Sequence, residues 1–429
     1  MDSLKNTILK EPVKNFIKVF SSGVFAQGLS FMLAPVVARL FLPEDFGTVA
    51  LFLSIISVIA VFSTFKYEQA IMLPKEDKDA INIFALVFLI TFAAAIFTAI
   101  VVPFVYLFAN HWFSDQKIIP WLWFIPLSLI LHGITQSIIY WFNRKKLFGN
   151  IAKATLWNYI PLNASKVSTG YFNAPFNGLI FSFLVGQLLN CLYLITRFYK
   201  SSKDALKMLS VSIIKHNAKK YSVYPKYNMV HTFANNFSGS LPIFLFTWGF
   251  SPEIAGLYSF GYIFVFKPLN IISQSLLQVL SQKTIEDYNN GLNILPNIKK
   301  IVSILFRLGI APFTLLFLFA PDIFEFLFSE KYREAGEFLK ILTPWLFMVF
   351  ISSSLSFIPE IFFRQKTAMF IDLAYLLLRA AALITGIWLS DVYMSLILFS
   401  AINFVIITIV LFWYLYLAKS SINLSDNSK

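Results

Sequence analysis

The sequence contains few charged residues and only one cysteine. Charged side chains make up 13% of its 429 residues, and 58% of the residues are hydrophobic, whereas soluble domains contain about 25% charged residues. The single cysteine, Cys191, excludes an intrachain disulfide and a metal centre built from several cysteines. Apolar runs of about 20 residues recur along the chain, so the composition predicts an all-α polytopic membrane protein.

Several catalytic signatures are also missing from the sequence. There is no G-x-x-x-x-G-K-[ST] loop, so ATP hydrolysis by this chain is not expected. No H-E-x-x-H or similar ligand cluster occurs, and we predict neither a metal nor another cofactor. A membrane-embedded glycosyltransferase or polymerase needs a catalytic acid and commonly a large outer loop, but the longest predicted outer loop, 321–336, is short. We therefore expect a transporter rather than an enzyme.

The apolar runs predict twelve membrane spans. The fifth span is the weakest, because Asn158, Pro161, Asn163 and Lys166 interrupt it. The segment before the first span is polar and basic, so no cleaved signal peptide is expected. The spans are predicted at 16–40, 47–66, 81–109, 118–141, 151–170, 176–196, 226–249, 255–281, 301–320, 337–359, 367–389 and 392–416.

Lysine and arginine are concentrated in alternate connections between the spans. The N-terminal tail and the connections after even-numbered spans hold most of them, whereas the opposite connections contain only Lys117, Lys331 and Arg333. Because cytoplasmic loops carry an excess of Lys and Arg, both termini are predicted to be cytoplasmic. This topology accounts for the net charge of +13, so nucleic-acid binding is not predicted.

A short internal repeat suggests that the chain arose by duplication. The pattern P-E-x-x-G occurs at 43–47 and again at 252–256, an offset of 252 − 43 = 209 residues, close to half the chain. Proline and glutamate both suit the first turn of a helix. We predict two pseudo-symmetric six-helix lobes, 1–200 and 226–429, joined by a basic cytoplasmic linker at 201–225, as in transporters that rock two halves around a central cavity.

Three segments carry a family resemblance. They read R-L-F-L-P-E-D-F-G at 39–47, Y-E-Q-A-I-M-L-P at 67–74 and G-L-Y-S-F-G-Y at 256–262. These segments resemble the Wzx-type polysaccharide flippases of the multidrug/oligosaccharidyl-lipid/polysaccharide exporter superfamily. The resemblance implies a MATE-like V of two lobes in the bacterial inner membrane.

The same resemblance implies a cargo. The expected substrate is an undecaprenyl-diphosphate-linked oligosaccharide of the O-antigen or capsule type, moved out of the cytoplasmic leaflet by alternating access. Membrane lipids and a polysaccharide polymerase complex are the expected partners. A multidrug/cation antiporter of the same fold is the alternative function.

Positive charges lie inside several predicted spans. A cation at the bilayer centre costs about 2.5–3.5 kcal/mol, so such residues usually face a bundle interior or a water-filled cavity. Lys267 and Arg379 are predicted near mid-depth, and Arg307 in the cytoplasmic third of its span. Guanidinium forks and an ammonium group suit a diphosphate. An internal ion pair with Asp372, seven residues before Arg379 and on the same helix face, is the alternative interpretation.

Two further cations lie nearer the ends of their spans. Lys166 falls in a polar run in the outer third of the fifth span, which suggests a cavity-facing surface and an accessory role in cargo binding. Arg39 is close to the outer end of the first span, so it either contacts the cargo or extends to the lipid headgroups. The resemblance adds only that an arginine recurs here in family members.

Charged residues at the inner ends of spans are candidates for gating or coupling. Lys66 and Glu68 flank Tyr67 at the end of the second span, and an interfacial ion pair between them is the alternative. Glu360, at the end of the tenth span, is likewise either a gating residue or one partner of an interfacial ion pair with Arg364. Asp372 completes this group. It is the only acidic residue well inside a predicted span, which disfavours a cation antiporter because such exporters tend to need intramembrane carboxylates.

Overall fold

A computed structural model describes the backbone of residues 2–112 and 116–420, and the side chains of 21–107, 117–273, 276–277 and 280–420. Every regular element in these residues is a helix. Two helices are short, α7 (Val211–Lys220) and α12 (Ile358–Ile361). The long helices are α1 (Asp2–Leu40), α2 (Pro43–Thr64), α3 (Asp77–Trp112), α4 (Ile125–Arg144), α5 (Phe148–Tyr171), α6 (Gly178–Leu206), α8 (Met229–Gly249), α9 (Pro252–Asn289), α10 (Leu295–Phe328), α11 (Arg333–Ser353), α13 (Gln365–Trp388) and α14 (Val392–Ser420).

Each predicted span corresponds to one of these long helices, and the all-α membrane architecture is confirmed. Among the described residues, ten helices are long and apolar enough to cross a membrane. The other two long helices are α5, the predicted weakest span, and α8, which carries His231, Asn235 and Asn236. Polar side chains on a membrane helix point to protein or water neighbours rather than lipid.

The boundaries differ from the predictions at two places where proline or serine interrupts the helix. The tenth span was predicted to run to residue 359, but α11 ends at Ser353 and the chain turns before α12. The fourth span was predicted from residue 118, but α4 begins at Ile125 after a 3₁₀ helix that contains Pro120. Proline lacks the N–H group that would continue the α-helical bonding.

The chain folds into two compact units, Met1–Pro252 (unit 1) and Glu253–Lys429 (unit 2). Helix α8 belongs to unit 1, where it packs on α2. Its Asn236 amide donates to the Ser57 carbonyl (2.6 Å), and the Ser57 and Ser240 hydroxyls lie 3.1 Å apart. The division into lobes at 1–200 and 226–429 stays a prediction.

In unit 1 the main helix pairs are α5 with α1 and α6, and α3 with α4. Buried aromatic rings join α3, α4 and α6: Phe84 stacks on Phe198 (4.6 Å between ring centres), and Trp141 meets both rings edge-on. The Trp141 indole also donates to the Ser202 hydroxyl (2.7 Å), where α6 departs from helical geometry. This contact fixes the direction in which the chain leaves α6.

In unit 2 the main helix pairs are α10 with α11, α13 with α14, and α11 with α14. Rings from α9 and α10 pack edge to face, with Phe260 4.8 Å from Phe328 and 6.1 Å from Phe324. Such pairs contribute about 0.5–1.5 kcal/mol beyond the apolar area that they bury. These rings fix α9, the helix that carries Lys267, within the unit.

The two P-E-x-x-G segments occupy equivalent positions. Pro43 begins α2 and Pro252 begins α9, and the glycines Gly47 and Gly256 are both buried. At the first site the Asp45 carboxylate accepts from the backbone N–H of residue 42 (3.0 Å), which closes the helix start. Each copy of the repeat therefore forms the first turn of a long helix.

The basic segment predicted as a linker is folded against unit 1. Asn82 of α3 is fully buried, and its side chain donates to the Met208 carbonyl (3.0 Å) and accepts from the Ser210 N–H (2.8 Å). These bonds hold the start of α7 on the first turns of α3. Since a buried amide left without partners would cost about 1–3 kcal/mol, the connection is a defined structural element.

A second set of bonds holds the far end of α7. The fully buried Asn217 amide donates to the Asp79 carbonyl (3.2 Å), and the Tyr67 hydroxyl donates to the Ala218 carbonyl (2.8 Å). Burial raises the pKa of Tyr67, so this hydroxyl stays protonated at neutral pH and remains a donor. Helix α7 is thus bonded to the connection between α2 and α3 and to the start of α3.

Candidate functional site

Arg379 lies in an aromatic cluster inside unit 2. Its guanidinium carbon is 4.9 Å from the ring centre of Tyr375 and 5.2 Å from that of Phe399. An arginine over an aromatic ring is stabilised by about 2 kcal/mol when the pair is desolvated. The aromatic contacts therefore offset part of the cost of placing this cation within the helices.

The cluster draws side chains from four helices. Trp345 of α11 meets Phe399 of α14 edge-on at 5.3 Å and stacks on Tyr262 of α9 at 5.9 Å. Tyr262 in turn stacks on Tyr258 (5.8 Å). Since Arg379 comes from α13, its position depends on the packing of α9, α11, α13 and α14 together.

Hydrogen bonds fix the side chain of Tyr375, the ring that lies beside Arg379. The Tyr375 hydroxyl donates to the Asn403 side-chain oxygen, and the Asn403 amide is bonded to the Phe399 carbonyl. Asp372, Tyr375 and Arg379 are spaced by three and four residues, so they share one face of α13. Asp372 is exposed, so this face is charged at both ends.

Lys267 lies on a different face of α9 from the aromatic cluster. Its predecessor Phe266 stacks on Tyr262 (4.7 Å), and one residue turns the helix by about 100°. The Lys267 side chain is exposed, as are those of Ile263 and Asn270 on the same face. None of the side chains that the structure describes forms an ion pair or a hydrogen bond with its ammonium group. An ammonium in this position is suited to an anionic ligand.

Arg307 is also exposed, within the first half of α10. Its neighbours Phe306 and Leu308 are exposed as well, at 48% and 64% of their surface. Protein therefore leaves this face of the helix exposed, whereas Leu305 and Gly309 on the opposite side are buried. The sequence predicted Arg307, Lys267 and Arg379 as one set, but the structure separates two exposed cations from one held among rings.

Lys166 and Arg39 occupy contrasting positions in unit 1. Lys166 is half-buried on the same face of α5 as Asn163, whose amide donates to the Ser30 hydroxyl of α1 (2.8 Å). This face is polar and meets α1. Arg39 is exposed in the last turn of α1, where a cation complements the negative end of the helix dipole.

Lys66 and Glu68 form an ion pair just after the C-terminal end of α2. Phe65 and Lys66 both have left-handed backbone angles (φ 46° and 62°), so the chain reverses sharply after the helix. The Lys66 ammonium lies 3.6 Å from a Glu68 carboxylate oxygen, and Glu68 is only 2% exposed. A buried carboxylate is costly unless it is paired, so the bend and the ion pair support one another.

Glu360 lies in the short helix α12 rather than at the end of a long span. Its side chain and that of Arg364 are both exposed. In the described part of the chain the two side chains do not pair; instead, the Arg364 N–H donates to the Pro359 carbonyl (2.8 Å). The charged groups of this turn are therefore free to interact with solvent or headgroups.

Arg144 has a structural role. From the sequence it was only one of the cations that indicate the membrane topology. Its guanidinium pairs with Asp77 (3.1 Å) and donates to the carbonyls of Pro74 (2.5 Å) and Lys75 (3.2 Å). Lys145 also pairs with Asp77. Arg144 thus ties the second half of the connection between α2 and α3 to the end of α4.

We expect Arg144→Gln to loosen this connection. A hydrogen bond to a charged group contributes about 1.5–3 kcal/mol, so losing several of them should speed backbone hydrogen exchange in segment 71–75 at least tenfold. Hydrogen–deuterium exchange with mass spectrometry measures this directly. Lys153→Ala, an exposed cation on α5, is the matched control. Unchanged exchange in Arg144→Gln would show that other contacts set the shape of the connection.

The described side chains do not form a metal centre. Among the side chains that the structure describes (21–107, 117–273, 276–277 and 280–420), no group of three or more His, Cys, Asp or Glu is placed to hold a metal ion. Cys191 is buried on α6.

The family of the chain follows from a comparison with protein-family models. Residues 36–337 match the family described as polysaccharide biosynthesis protein. The chain belongs to this family. The matched region of this polysaccharide biosynthesis protein contains Lys267, Arg307 and the Lys66–Glu68 pair but ends before Arg379. A search of curated proteins gives no match.

Solved structures show which fold this family member has. The chain is similar to an inward-facing MATE-family multidrug resistance transporter (TM-score 0.70, 12% identity, covering 95% of this chain and 96% of that one). It is also similar to the lipid II flippase MurJ in an inward closed conformation (TM-score 0.68, 15% identity, covering 93% and 90%). A third match is a MOP-superfamily transporter from Pyrococcus furiosus (TM-score 0.58, 12% identity, 96% of each chain). The polysaccharide biosynthesis protein thus has the fold of the MATE and MurJ transporters.

Proposed function

We propose that this protein is a flippase for an undecaprenyl-diphosphate-linked oligosaccharide of the O-antigen or capsule repeat-unit type. It takes the cargo from the cytoplasmic leaflet of the bacterial inner membrane and delivers it to the outer leaflet by alternating access. In this orientation both termini are cytoplasmic. The observation that carries the proposal is Lys267, an exposed ammonium inside a membrane helix of a polysaccharide biosynthesis protein.

The diphosphate is the part of the cargo that the cations recognise. Lys267 and Arg307 are exposed along α9 and α10 and supply positive charge without a described counter-ion. Arg379 stacks its guanidinium face on rings, and stacking leaves its N–H groups directed along the plane, the geometry used for bidentate phosphate contacts. Lys166 and Arg39 are accessory cations in unit 1.

Four charged residues are proposed to act in gating or coupling rather than in holding the cargo. Lys66 and Glu68 form a pair at a strained bend, and opening of this pair would change the connection to which α7 is bonded. Asp372 and Glu360 are the exposed carboxylates on and before α13. A polysaccharide polymerase complex on the outer side would receive the product.

Two comparisons support a lipid-linked sugar as cargo. The family is described by polysaccharide biosynthesis, and one structure of the same fold is a lipid II flippase. The multidrug/cation antiporter remains the second candidate, because a MATE transporter shares the fold. Cations exposed on membrane helices suit an anionic cargo better than a cationic one.

A strain that lacks the gene should lose its surface polysaccharide and accumulate the lipid-linked oligosaccharide on the cytoplasmic side of the inner membrane. A plasmid copy should restore both. Surface polysaccharide is measured by immunoblotting, and the precursor by mass spectrometry of lipid extracts. Normal polysaccharide combined with increased sensitivity to cationic drugs would instead identify an antiporter.

A further inference from the structure

The folded connection after α6 presents a dense positive surface. Residues 197–226 contain eight Lys or Arg residues and one acidic residue, Asp204. Asp204 pairs with the neighbouring Lys207 (2.8 Å). The side chains of all eight cations are exposed, and we call this set of cations the basic surface: Arg197, Lys200, Lys203, Lys207, Lys215, Lys219, Lys220 and Lys226.

The length of α6 places this surface beside the membrane. Helix α6 has 29 residues, which is about 43 Å at a rise of about 1.5 Å per residue. The hydrocarbon core is about 30 Å thick. The first twenty residues of α6 therefore suffice to cross the core, so the chain leaves the core near Arg197. Met208 and Ser210 are bonded to Asn82, near the start of the apolar stretch of α3, and these bonds place this part of the connection at headgroup depth.

The basic surface is rigidly built. The buried amides of Asn82 and Asn217 and the Tyr67 hydroxyl bond the backbone on both sides of α7. Around them, Ile213 and Ile214 are half-buried against the protein, whereas Lys215 and Lys219, one turn apart, are exposed. The apolar side of α7 is thus used for packing, and its cations point outward in fixed positions.

Apolar and aromatic side chains border the cations. Leu209 and Val211 are 45% and 69% exposed, and Tyr199 is 55% exposed. The Lys203 ammonium lies 5.9 Å from the ring of Tyr199, and the Arg197 guanidinium lies 5.3 Å from the ring of Tyr193. Tyrosines and aliphatic groups beside lysines are typical of residues at the membrane–water boundary.

We propose that the basic surface binds the headgroups of anionic phospholipids in the leaflet on that side of the membrane. The cations would contact the headgroup phosphates while Leu209 and Val211 enter the upper acyl region. An acidic protein partner would match the charge, but it would not explain the exposed aliphatic groups at headgroup depth. This inference goes beyond the proposed flippase activity and does not depend on the cargo.

Native mass spectrometry of the full chain tests the proposal. The protein is purified in detergent and incubated with equal amounts of phosphatidylglycerol and phosphatidylcholine, and the bound lipids are counted. The wild-type protein should retain phosphatidylglycerol preferentially. Each juxtamembrane lysine is worth about a fivefold change in affinity for an anionic surface. The triple variant Lys215→Gln/Lys219→Gln/Lys220→Gln should therefore lose at least tenfold.

A charge-conserving triple variant is the matched control. Replacing Lys215, Lys219 and Lys220 with arginine keeps three positive charges at the same positions and should keep the preference within about twofold. Equal losses in the arginine and glutamine triples would overturn the proposal, as would a wild-type protein without a lipid preference. Co-purification of an acidic protein with the wild type, together with undiminished phosphatidylglycerol retention by the glutamine triple, would also overturn it.

The readout separates this inference from the proposed function. Lipid retention is measured without cargo, so a protein that fails to transport oligosaccharide can still pass this test. If the triple variant folds poorly, Lys219→Gln alone should give about a fivefold loss, and its thermal stability can be compared with that of the wild type. A single variant with wild-type stability and undiminished retention would count against the proposal.

Discussion

Lys267→Ala should abolish the transport of lipid-linked oligosaccharide while the protein remains folded in the membrane. The Lys267 side chain is exposed and has no described ion-pair partner, so its removal breaks no described ion pair or hydrogen bond of unit 2. Losing a charged partner of a desolvated phosphate costs about 2–5 kcal/mol, which corresponds to a rate at least tenfold lower. The measurement is the transfer of a labelled undecaprenyl-diphosphate oligosaccharide to the outer leaflet of proteoliposomes.

Three variants make this result specific. Lys267→Arg keeps the charge and should retain much of the activity, although an arginine does not reproduce a compact ammonium. Lys366→Ala removes an exposed cation at the start of α13 and should transport normally. Arg379→Ala would remove contacts to two rings, so its activity is interpretable only beside its thermal stability. Full transport by Lys267→Ala would remove Lys267 from the site.

Gly386→Ala should strongly destabilise unit 2. A Cβ atom at Gly386 would lie 2.2 Å from the Cβ and 2.3 Å from the Cα of Ser395. Because one of these atoms belongs to the backbone, α13 and α14 would have to separate. Overpacking typically costs about 1–3 kcal/mol and sometimes more. We therefore expect Gly386→Ala to lower the free energy of unfolding by about 3 kcal/mol or more. Thermal unfolding in detergent measures the effect.

The control for this substitution is Gly239→Ala in α8. An added Cβ there has no heavy atom within 4 Å, and alanine is favoured over glycine in a helix by up to about 1 kcal/mol. Gly239→Ala should therefore be neutral or slightly stabilising. Equal stability of the two variants would mean that the α13–α14 contact is more adaptable than its geometry indicates.

Ten of the long helices could be predicted from hydropathy alone, whereas the more polar α5 and α8 were predicted as apolar segments between the others. The helix starts at Pro43 and Pro252 were also readable, since proline and glutamate favour a first turn. The end of α11 at Ser353 could not be predicted from the sequence. The residues after it remain apolar, and the turn there depends on local hydrogen bonds rather than on hydropathy.

The candidate site was only partly predictable. The pairing of Lys66 with Glu68 is local in sequence, so proximity suggested it. The surroundings of Arg379 come from Tyr262, Trp345 and Phe399, which lie on three other helices, and no spacing rule joins such distant residues. Sequence could identify Arg379 as a cation inside a span but could not distinguish an aromatic environment from a carboxylate partner.

The contacts of Arg144 also constrain the order in which unit 1 can form. The groups that it bonds lie 67 to 73 residues earlier in the chain. During synthesis α2 and α3 are therefore made, and can enter the membrane, well before the side chain that shapes their connection exists. This hairpin completes its native turn only when the end of α4 has left the ribosome, so the first stage of biogenesis passes through a hairpin that has not yet been locked.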